Sequence, residues 1–427
     1  MQNLAATFIG KIIRLGLLFR PGGGHALPGL VIEGLFPNYL PSMLRKIPEG
    51  VIIITGTNGK TTTTKIVTQI LEANHKKVLT NTTGSNLMRG IASTLSRSAT
   101  LFNRLPYDIA VLEVDEASAR LLVEQIKPRW VLGLNVSRDQ LDRFGEVDTI
   151  ASYVKDAMGK ATQGIVTNSK DPKLFTIAKN ISTENKVQTI YFGFSEKLRK
   201  FFPNDYELAA VGNTHKKKEN LKEPTADVEL ISFSEQEVTY KIGGKDFKAR
   251  LKLTGQHNYL NGAAALALCR ALLPDIETED LVSTLSVVTL AFGRGERYKL
   301  KNEAEIELVL VKNPASCTQA LSSYSTKDTN LMIAINDNIA DGRDVSWLWD
   351  VDFSSLSGRK VSITSGKRGV DMALRLSYDD VATATIEPSL PKALKELSMK
   401  NGDKVILATY TAMLQLYDYL IKNGEKV

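Results

Sequence analysis

Short apolar runs alternate with helix-like segments over the first half of the chain. The runs lack the regular polar alternation of half-exposed strands, which indicates strands buried on both faces of a sheet. The segments between them repeat apolar residues at helical spacing, so the pattern indicates successive βαβ units with parallel strands. The runs are residues 51–54, 109–114, 130–134 and 164–167. They predict an α/β domain with a mostly parallel sheet.

The remaining chain shows different patterns. Residues 195–250 are rich in Lys, Glu, Asn and Thr, and the run 238–242 before Gly243-Gly244 predicts a small antiparallel hairpin. A helical Ala/Leu pattern at 254–292 leads to a second α/β pattern, with strands expected at 307–311, 330–335, 360–364 and 404–408. We therefore predict three parts: a helical lead-in (1–46), a central domain (47–297) with the hairpin inserted at about 195–250, and a C-terminal α/β domain (298–427).

A glycine turn joins the first apolar run to a helical segment. Residues 56–62 are Gly-Thr-Asn-Gly-Lys-Thr-Thr, and such a strand–turn–helix presents backbone N–H groups and a positive helix end to phosphate. The general P-loop has a further glycine where this chain has Ile54, so this is the shorter form, typical of a narrower set of ATPases. The expected phosphate ligands are Gly56, Thr57, Asn58, Gly59, Lys60, Thr61 and Thr62.

An acidic residue at a neighbouring strand end extends this site. Glu113 lies at the carboxyl end of a predicted strand beside the glycine turn, at the sheet edge where open α/β sheets bind ligands. Its carboxylate and the Thr61 hydroxyl are hard oxygen ligands that suit Mg²⁺. Asp115 and Glu116 are candidates for outer positions around the metal. The alternative is that these acids face solvent in a loop.

Two further polar segments are candidates for nucleotide contact. Asn258 belongs to a polar helix start at 255–261, and Arg294 lies in a glycine turn at 292–297. An arginine in such a turn suits bidentate binding of phosphate. We expect both residues to contribute to the ATP site.

Composition limits the class of protein. The 427 residues suffice for two or three domains, and 43% hydrophobic with 24% charged residues is ordinary for a soluble globular protein. Cys269 and Cys317 are too few for a disulfide framework or a four-cysteine zinc site, which favours reduced thiols in a cytoplasmic protein. The net charge of +7 favours anionic substrates such as nucleotides or pyrophosphate-bearing lipids. The basic cluster 215–218 has no aromatic neighbours, so no nucleic acid is expected.

The apolar segment at 8–19 is the candidate for membrane contact. Lys11 and Arg14 interrupt it, and it is too short and too charged to span a bilayer, so no transmembrane segment is expected. An amphipathic helix packed on the protein is the simplest interpretation. Peripheral contact with a membrane surface is the alternative.

Five motifs in order resemble those of the Mur ligase family of ATP-dependent amide-forming enzymes. They are Gly-Thr-Asn-Gly-Lys-Thr at 56–61, Leu-Glu-Val at 112–114, Arg-Asp-Gln-Leu-Asp at 138–142, Gly-Gln-His-Asn-Tyr-Leu-Asn at 255–261 and Gly-Arg-Gly-Glu at 293–296. Segments 27–29, 139–146, 312–314 and 336–350 are similar to the branch that supplies the ligase subunit of lipid II isoglutaminyl synthases. The resemblance covers nearly the whole chain. It implies a Mur ligase-like central P-loop ATPase domain followed by that branch's C-terminal α/β domain.

The resemblance also implies an activity. ATP and Mg²⁺, the latter held by Thr61 and Glu113, would convert the α-carboxylate of D-isoglutamate in the lipid II stem peptide to an acyl phosphate. Ammonia from a glutamine amidotransferase subunit resembling GatD would then give D-isoglutamine, in the cytoplasm at the inner face of the cell membrane. Asp344 or Asp341 would complete the partner's Cys–His pair. Two alternatives stay open: a stand-alone Mur- or folylpolyglutamate-type amino acid ligase, and a non-catalytic nucleotide-binding scaffold that activates a glutaminase.

Three positions depart from the family pattern. Gln140 stands where ordinary Mur ligases commonly carry a metal-binding histidine, which puts a second Mg²⁺ site in doubt. Lys155 is the candidate counterpart of their carbamylated lysine. The lipid II branch typically carries a four-cysteine zinc ribbon in the middle domain, but residues 195–250 contain no cysteine. We therefore expect no zinc and expect packing to hold the hairpin.

Overall fold

The computed structural model describes residues 2–17, 27–81, 86–137, 147–202, 222–234, 237–252, 255–288, 294–324 and 329–426. The motif at 138–142, which contains Gln140, lies outside these ranges. The chain divides into two compact units, one formed mainly by residues up to 289 and the other mainly by residues from 290 onward.

The described elements of the first unit begin with helices and then alternate between strands and helices. In chain order they are α1 (Gln2–Leu17), α2 (Leu27–Leu35), α3 (Tyr39–Leu44), β1 (Val51–Thr55), α4 (Lys60–Ala73), β2 (Val78–Leu79), α5 (Met88–Ser98), β3 (Ile109–Glu113), α6 (Glu116–Gln125), β4 (Trp130–Gly133), α7 (Val147–Gly159), β5 (Gly164–Asn168), α8 (Pro172–Asn185), β6 (Gln188–Phe194), β7 (Val228–Phe233), β8 (Glu237–Ile242), β9 (Lys245–Arg250), α9 (Gln256–Leu272) and α10 (Thr278–Thr284).

The described strands of this unit form one nine-stranded sheet in the order β2-β3-β1-β4-β5-β6-β7-β8-β9. Neighbours from β2 to β7 run parallel, and β7, β8 and β9 are antiparallel. Every residue of β1, β3 and β4 is buried, which explains why these strands are continuous apolar runs. The predicted parallel strands are confirmed. Strand β1 has β3 on one side and β4 on the other. The carboxyl end of β1 therefore lies where the strand order reverses, which is the usual ligand position in such sheets.

The predicted hairpin forms, but it extends the main sheet. Strands β8 and β9 are joined by Gly243 and Gly244, whose φ angles of 57° and 81° lie in the left-handed region. Strand β8 pairs with β7, and β7 pairs with β6. The pattern did not indicate β6 and β7 because both are only partly buried and carry polar residues at their exposed positions.

An aromatic cluster holds this antiparallel end of the sheet. The rings of Phe194 and Phe202 lie 4.8 Å apart, and Phe233 lies 5.3 Å from Tyr259 of α9. The buried Tyr240 of β8 donates a hydrogen bond to the Tyr259 carbonyl oxygen at 2.7 Å. The ring contact therefore joins β7 to α9, and the hydrogen bond joins the hairpin to the same helix.

The second unit is another α/β layer structure. Its described elements are β10 (Arg294–Leu300), β11 (Glu305–Leu310), α11 (Pro314–Tyr324), β12 (Thr329–Ala334), β13 (Lys360–Ser365), α12 (Gly369–Ser377), β14 (Ala382–Glu387), α13 (Leu390–Ser398), β15 (Asp403–Ala408), α14 (Tyr410–Asn423) and β16 (Gly424–Lys426). The described strands form a seven-stranded sheet in the order β14-β13-β12-β15-β11-β10-β16, in which only β10 runs antiparallel to its neighbours. The predicted C-terminal strands are confirmed. Strand β10 begins before the predicted domain boundary at 297.

The sheet of the second unit packs helices on both faces. Met332 and Ala334 of β12 belong to a core cluster with α13 and α14, whereas Leu331 and Ile333 belong to a second cluster with α11 and α12. This alternation follows from the two-residue period of a strand. The loop that follows β12 leaves the sheet at its carboxyl edge and carries Asp341 and Asp344.

Candidate active site

The turn between β1 and α4 has the backbone of a phosphate loop. Gly56 has a φ of 122° and Gly59 a φ of 88°, both in the region that favours glycine. Helix α4 begins at Lys60, and its N-cap, Gly59, has no side chain to bond the N–H groups of the first turn. In general the N–H groups of the first turn lack acceptors within their own helix. The turn therefore directs backbone donors and the positive helix end toward one point, as phosphate binding requires.

Two asparagines from later in the chain brace this loop. Asn135, just after β4, accepts hydrogen bonds from Thr57 N through its carbonyl oxygen (3.0 Å) and from Asn58 N through Oδ1 (2.8 Å). Its Nδ2 donates to Asn58 O at 2.9 Å. Asn261 of α9 packs against Gly59 so closely that a Cβ there would lie 2.4 Å from Asn261 Oδ1. The loop is thus clamped from two sides.

Lys60 lies over the loop. Its side chain is buried, and Nζ donates to Gly56 O at 2.5 Å and to Thr57 O at 3.3 Å. Glu116 Oε2 is 3.5 Å away and forms an ion pair with it. These contacts keep the ammonium group at the mouth of the loop, within reach of a phosphate bound there. Glu116 was expected only as an outer acid, and the structure gives it this specific partner.

Thr61 and Glu113 come together as expected for a metal site. Thr61 Oγ1 donates to Glu113 Oε1 at 2.9 Å. Asn81, just after β2, holds the backbone of Glu113 by accepting from its N–H (2.9 Å) and donating to its carbonyl oxygen (2.7 Å). The pair supplies a hydroxyl and a carboxylate oxygen at one point, which fits the oxygen ligands that Mg²⁺ prefers. Asp115 instead caps α6, accepting from Ser118 N at 2.9 Å.

The other predicted nucleotide ligands occupy different positions. Thr62 is buried in the first turn of α4, and Asn258 is buried in the first turn of α9, 3.5 Å from Asn261 Nδ2 through its Oδ1. Arg294 begins β10 in the second unit. Lys155, the candidate carbamylation site, is exposed on α7. The roles of these residues stay predictions.

Asn81, Asn135 and Asn261 were given no individual role by the sequence patterns. Asn81 and Asn135 each follow a strand of the parallel sheet and so reach its carboxyl edge. That position was a usable signal, but the strand β2 has only two residues and the pattern did not indicate it. Asn261 contacts Gly59 across a long chain separation that no local pattern shows.

The two aspartates of the C-terminal loop have different environments. Asp341 is buried and accepts from Thr411 N at 2.7 Å, from Asn338 N at 3.0 Å and from the Thr411 hydroxyl. It therefore fastens the loop to the first turn of α14. Asp344 is partly exposed and accepts from Ser346 N at 2.8 Å.

Two protein-family models match this chain, and one of them covers the phosphate loop. Residues 54–269 match the model of the Mur ligase middle domain, and residues 310–413 match the model of the MurT ligase C-terminal domain. The chain is 30% identical to the MurT subunit of lipid II isoglutaminyl synthase (glutamine-hydrolyzing) from Streptococcus pneumoniae, over 95% of this chain and 94% of that protein. The MurT subunit from Staphylococcus aureus is 27% identical over 100% of this chain and 99% of its own length.

Solved structures share the fold. MurF from Acinetobacter baumannii superposes with a TM-score of 0.65 at 18% identity, covering 93% of this chain and 81% of that one. MurF from Thermotoga maritima in complex with ADP gives a TM-score of 0.63 at 16% identity, covering 92% and 84%. The chain therefore belongs to the Mur ligase family of ligases and, within it, to the MurT branch. Among the described residues, no helix combines the length and apolar character needed to cross a membrane.

Proposed function

We propose that this chain is the ligase subunit of a lipid II isoglutaminyl synthase, which amidates the α-carboxylate of D-isoglutamate in the lipid II stem peptide. The observation that carries the proposal is the phosphate loop with Lys60, Thr61 and Glu113 at the end of β1, in a chain similar to MurT subunits along nearly its whole length. The family is one of ATP-dependent ligases, so we infer that the loop binds the phosphates of ATP. The substrate is lipid-linked, which places the reaction at the inner face of the cell membrane.

The chemistry is a carboxylate activation followed by amide formation. The γ-phosphate of ATP would bind at the first turn of α4, where Lys60, which now donates to the Gly56 carbonyl oxygen, would donate to the phosphate oxygens instead. A carboxylate oxygen attacks the γ-phosphorus, the bond to ADP breaks, and an acyl phosphate forms. The ammonia nitrogen then attacks the acyl carbon, phosphate leaves, and the nitrogen loses a proton. Thr61 and Glu113 would hold Mg²⁺, which would supply positive charge to neutralise the phosphate oxygens.

Ammonia comes from glutamine hydrolysed by a partner subunit resembling GatD. The position of Asp344 supports such a partner. Asp344 is partly exposed on the loop after β12, so a histidine of the partner subunit could reach it. Asp341 serves a different purpose, since it is buried and bonded to α14. We therefore assign Asp344 as the residue that completes the partner's Cys–His pair.

The second unit also exposes an apolar surface beside that loop. Val370 and Leu374 of α12 and Tyr378 at its end are exposed at helical spacing, and the exposed Trp349 ring lies 5.0 Å from that of Tyr378. Aromatic residues are enriched in protein interfaces. This surface is where we expect the glutaminase subunit to dock, and Leu374→Gln should reduce its copurification.

The test separates ammonia supply from ligation. The complex with its glutaminase subunit is given ATP, lipid II and either glutamine or ammonium chloride, and D-isoglutamine is measured by mass spectrometry. Lys60→Ala should abolish product from both nitrogen sources. Asp344→Asn should abolish product from glutamine and retain it from ammonium, while a circular dichroism spectrum checks that each variant is folded.

Asp341→Asn is the matched comparison for Asp344→Asn. It weakens hydrogen bonds to a buried carboxylate, so it should lower the free energy of unfolding by about 1–3 kcal/mol. If Asp344→Asn lost both activities, or if the chain alone joined an amino acid to a carboxylate, the proposal would be wrong. Full activity of Lys60→Ala would overturn the ATP site.

A further inference from the structure

Helix α1 directs four of its large apolar side chains toward solvent. Leu4, Phe8, Ile12 and Leu15 are 50–60% exposed. Their spacing of four, four and three residues places them on one stripe of the helix, here called the outer ridge. A surface helix of a globular protein normally directs such a stripe toward the core.

The opposite face of α1 is fixed to the protein by small and polar residues. Ala6, Thr7 and Gly10 are its buried residues. Thr7 Oγ1 donates to Asn103 Oδ1 at 2.8 Å and lies 2.8 Å from the Tyr39 hydroxyl. A Cβ at Gly10 would lie only 2.7 Å from Ile32 Cδ1, so the helix packs there without room for a side chain. Rotation of α1 to bury the outer ridge would break these contacts.

A turn that contacts α1 carries two more exposed apolar side chains. Leu101 is 67% and Phe102 is 83% exposed at the tip of a turn closed by a hydrogen bond from Thr100 N to Arg104 O (2.8 Å). The next residue, Asn103, is the acceptor for Thr7 of α1, which ties the turn to the middle of the helix. Helix α1 and a turn bonded to it thus carry six exposed large apolar side chains.

The charges around the outer ridge are mainly positive. Helix α1 has no acidic residue, and it carries Lys11 and Arg14. Arg97 at the end of α5 is exposed, and Lys11 Nζ donates to its carbonyl oxygen at 3.2 Å. Arg104 beside the tip is also exposed, whereas α2 contributes one exposed acid, Glu33. Apolar side chains flanked by cations are the composition of helices that lie in the surface of anionic bilayers.

We propose that the outer ridge and the Leu101-Phe102 tip dock on the surface of a bilayer that contains anionic lipid, with Arg14 at the headgroup level. The proposal rests on the proposed function, because a lipid-linked substrate requires the ligase to work at a membrane. A second copy of the chain is a less suitable occupant, since Lys11 and Arg14 would meet the same cations across a two-fold interface.

Vesicle cosedimentation of the full-length chain tests this. The lipids are phosphatidylcholine alone or phosphatidylcholine mixed with phosphatidylglycerol, without substrate or nucleotide. The double variant Phe8→Gln/Ile12→Gln should reduce the partition coefficient on anionic vesicles at least roughly tenfold. Arg14→Gln should reduce it about threefold to fivefold, and only on anionic vesicles. Both variants change exposed positions, so folding is retained.

Leu121→Gln is the matched control, because Leu121 is 58% exposed on α6, outside the outer ridge. It should leave partition unchanged. Equal binding of wild type and the double variant, or equal binding to neutral and anionic vesicles, would overturn the proposal. So would a concentration-dependent dimer in light scattering that the double variant abolishes. Lys60→Ala should still bind vesicles, so a failed ligase assignment and a failed membrane surface give different results.

Discussion

Replacing Gly59 with alanine adds one methyl group to the phosphate loop and tests how tightly Asn261 packs against it. The φ of Gly59, 88°, is left-handed, and a Cβ there would lie 2.4 Å from Asn261 Oδ1. Gly243, in the β8–β9 turn, has a φ of 57° but no heavy atom within 4 Å of its Cβ position. Both Gly59→Ala and Gly243→Ala therefore place alanine in a strained backbone conformation. Only Gly59→Ala also brings the new methyl group too close to Asn261.

The two costs can be estimated separately. A left-handed conformation costs alanine about 1–2 kcal/mol, and alanine recovers about 0.4–1 kcal/mol by stiffening the unfolded chain. Gly243→Ala should thus lower the free energy of unfolding by about 1 kcal/mol. Gly59→Ala adds overpacking of about 1–3 kcal/mol, because Asn261 is buried and also lies against Asn258. We expect a total of about 2–4 kcal/mol for Gly59→Ala.

Urea unfolding measures these values through the fluorescence of Trp130 in β4, after the two tryptophans of the second unit are replaced by phenylalanine. Asn261→Ala removes the opposing atoms, so the double variant with Gly59→Ala should show a favourable coupling of about 1–3 kcal/mol. Titration with a fluorescent ATP analogue should show weaker binding for Gly59→Ala and unchanged binding for Gly243→Ala. Equal destabilisation by the two glycine variants, or zero coupling, would refute the clamp between Gly59 and Asn261.

Three further predictions concern the metal, pH and thiols. Glu113→Gln should raise the Mg²⁺ concentration for half-maximal ATP turnover roughly tenfold or more, because the proposed Mg²⁺ site loses its carboxylate charge. Burial alone would raise the pKa of Asp379, but its hydrogen bonds and its ion pair with Arg375 hold that pKa below its ordinary value. The urea midpoint of the second unit should therefore fall as the pH is lowered and Asp379 is protonated. Asp379→Asn should make the urea midpoint less dependent on pH. Burial raises the pKa of the Cys269 thiol and raises that of Cys317 to about 12, so Ellman's reagent should label neither until urea unfolds the chain.

The core strands were predictable because they are buried on both faces. In β1, β3 and β4 every position is buried, so the apolar runs are continuous and their ends are sharp. Strands β6 and β7 have exposed positions and therefore a mixed composition, which local patterns cannot separate from loop. Their place between β5 and the hairpin depends on pairing across the sheet, which the sequence pattern does not encode locally.

The candidate site likewise contains some residues that the sequence predicts and others that it does not. The pairing of Thr61 with Glu113 follows from motif and strand position, because both belong at the carboxyl edge of the parallel sheet. The bracing by Asn135 and the packing of Asn261 on Gly59 depend on contacts between distant parts of the chain. Sequence patterns identify the groups that would touch a nucleotide better than those that hold them in place.

The order in which the chain is synthesised gives the bracing of the phosphate loop a further meaning. Strand β1 and helix α4 leave the ribosome before Asn135, and Asn261 follows only when α9 is made. Until the first unit is nearly complete, the nascent chain can therefore brace the loop through Asn135 but not through Asn261. A ligand that binds only the folded state stabilises it by about 2.7 kcal/mol at a hundredfold excess over its Kd, so we expect nucleotide to stabilise the first unit most once α9 has packed against the loop. The packing of α9 against Gly59 is then the step that completes the bracing of the loop.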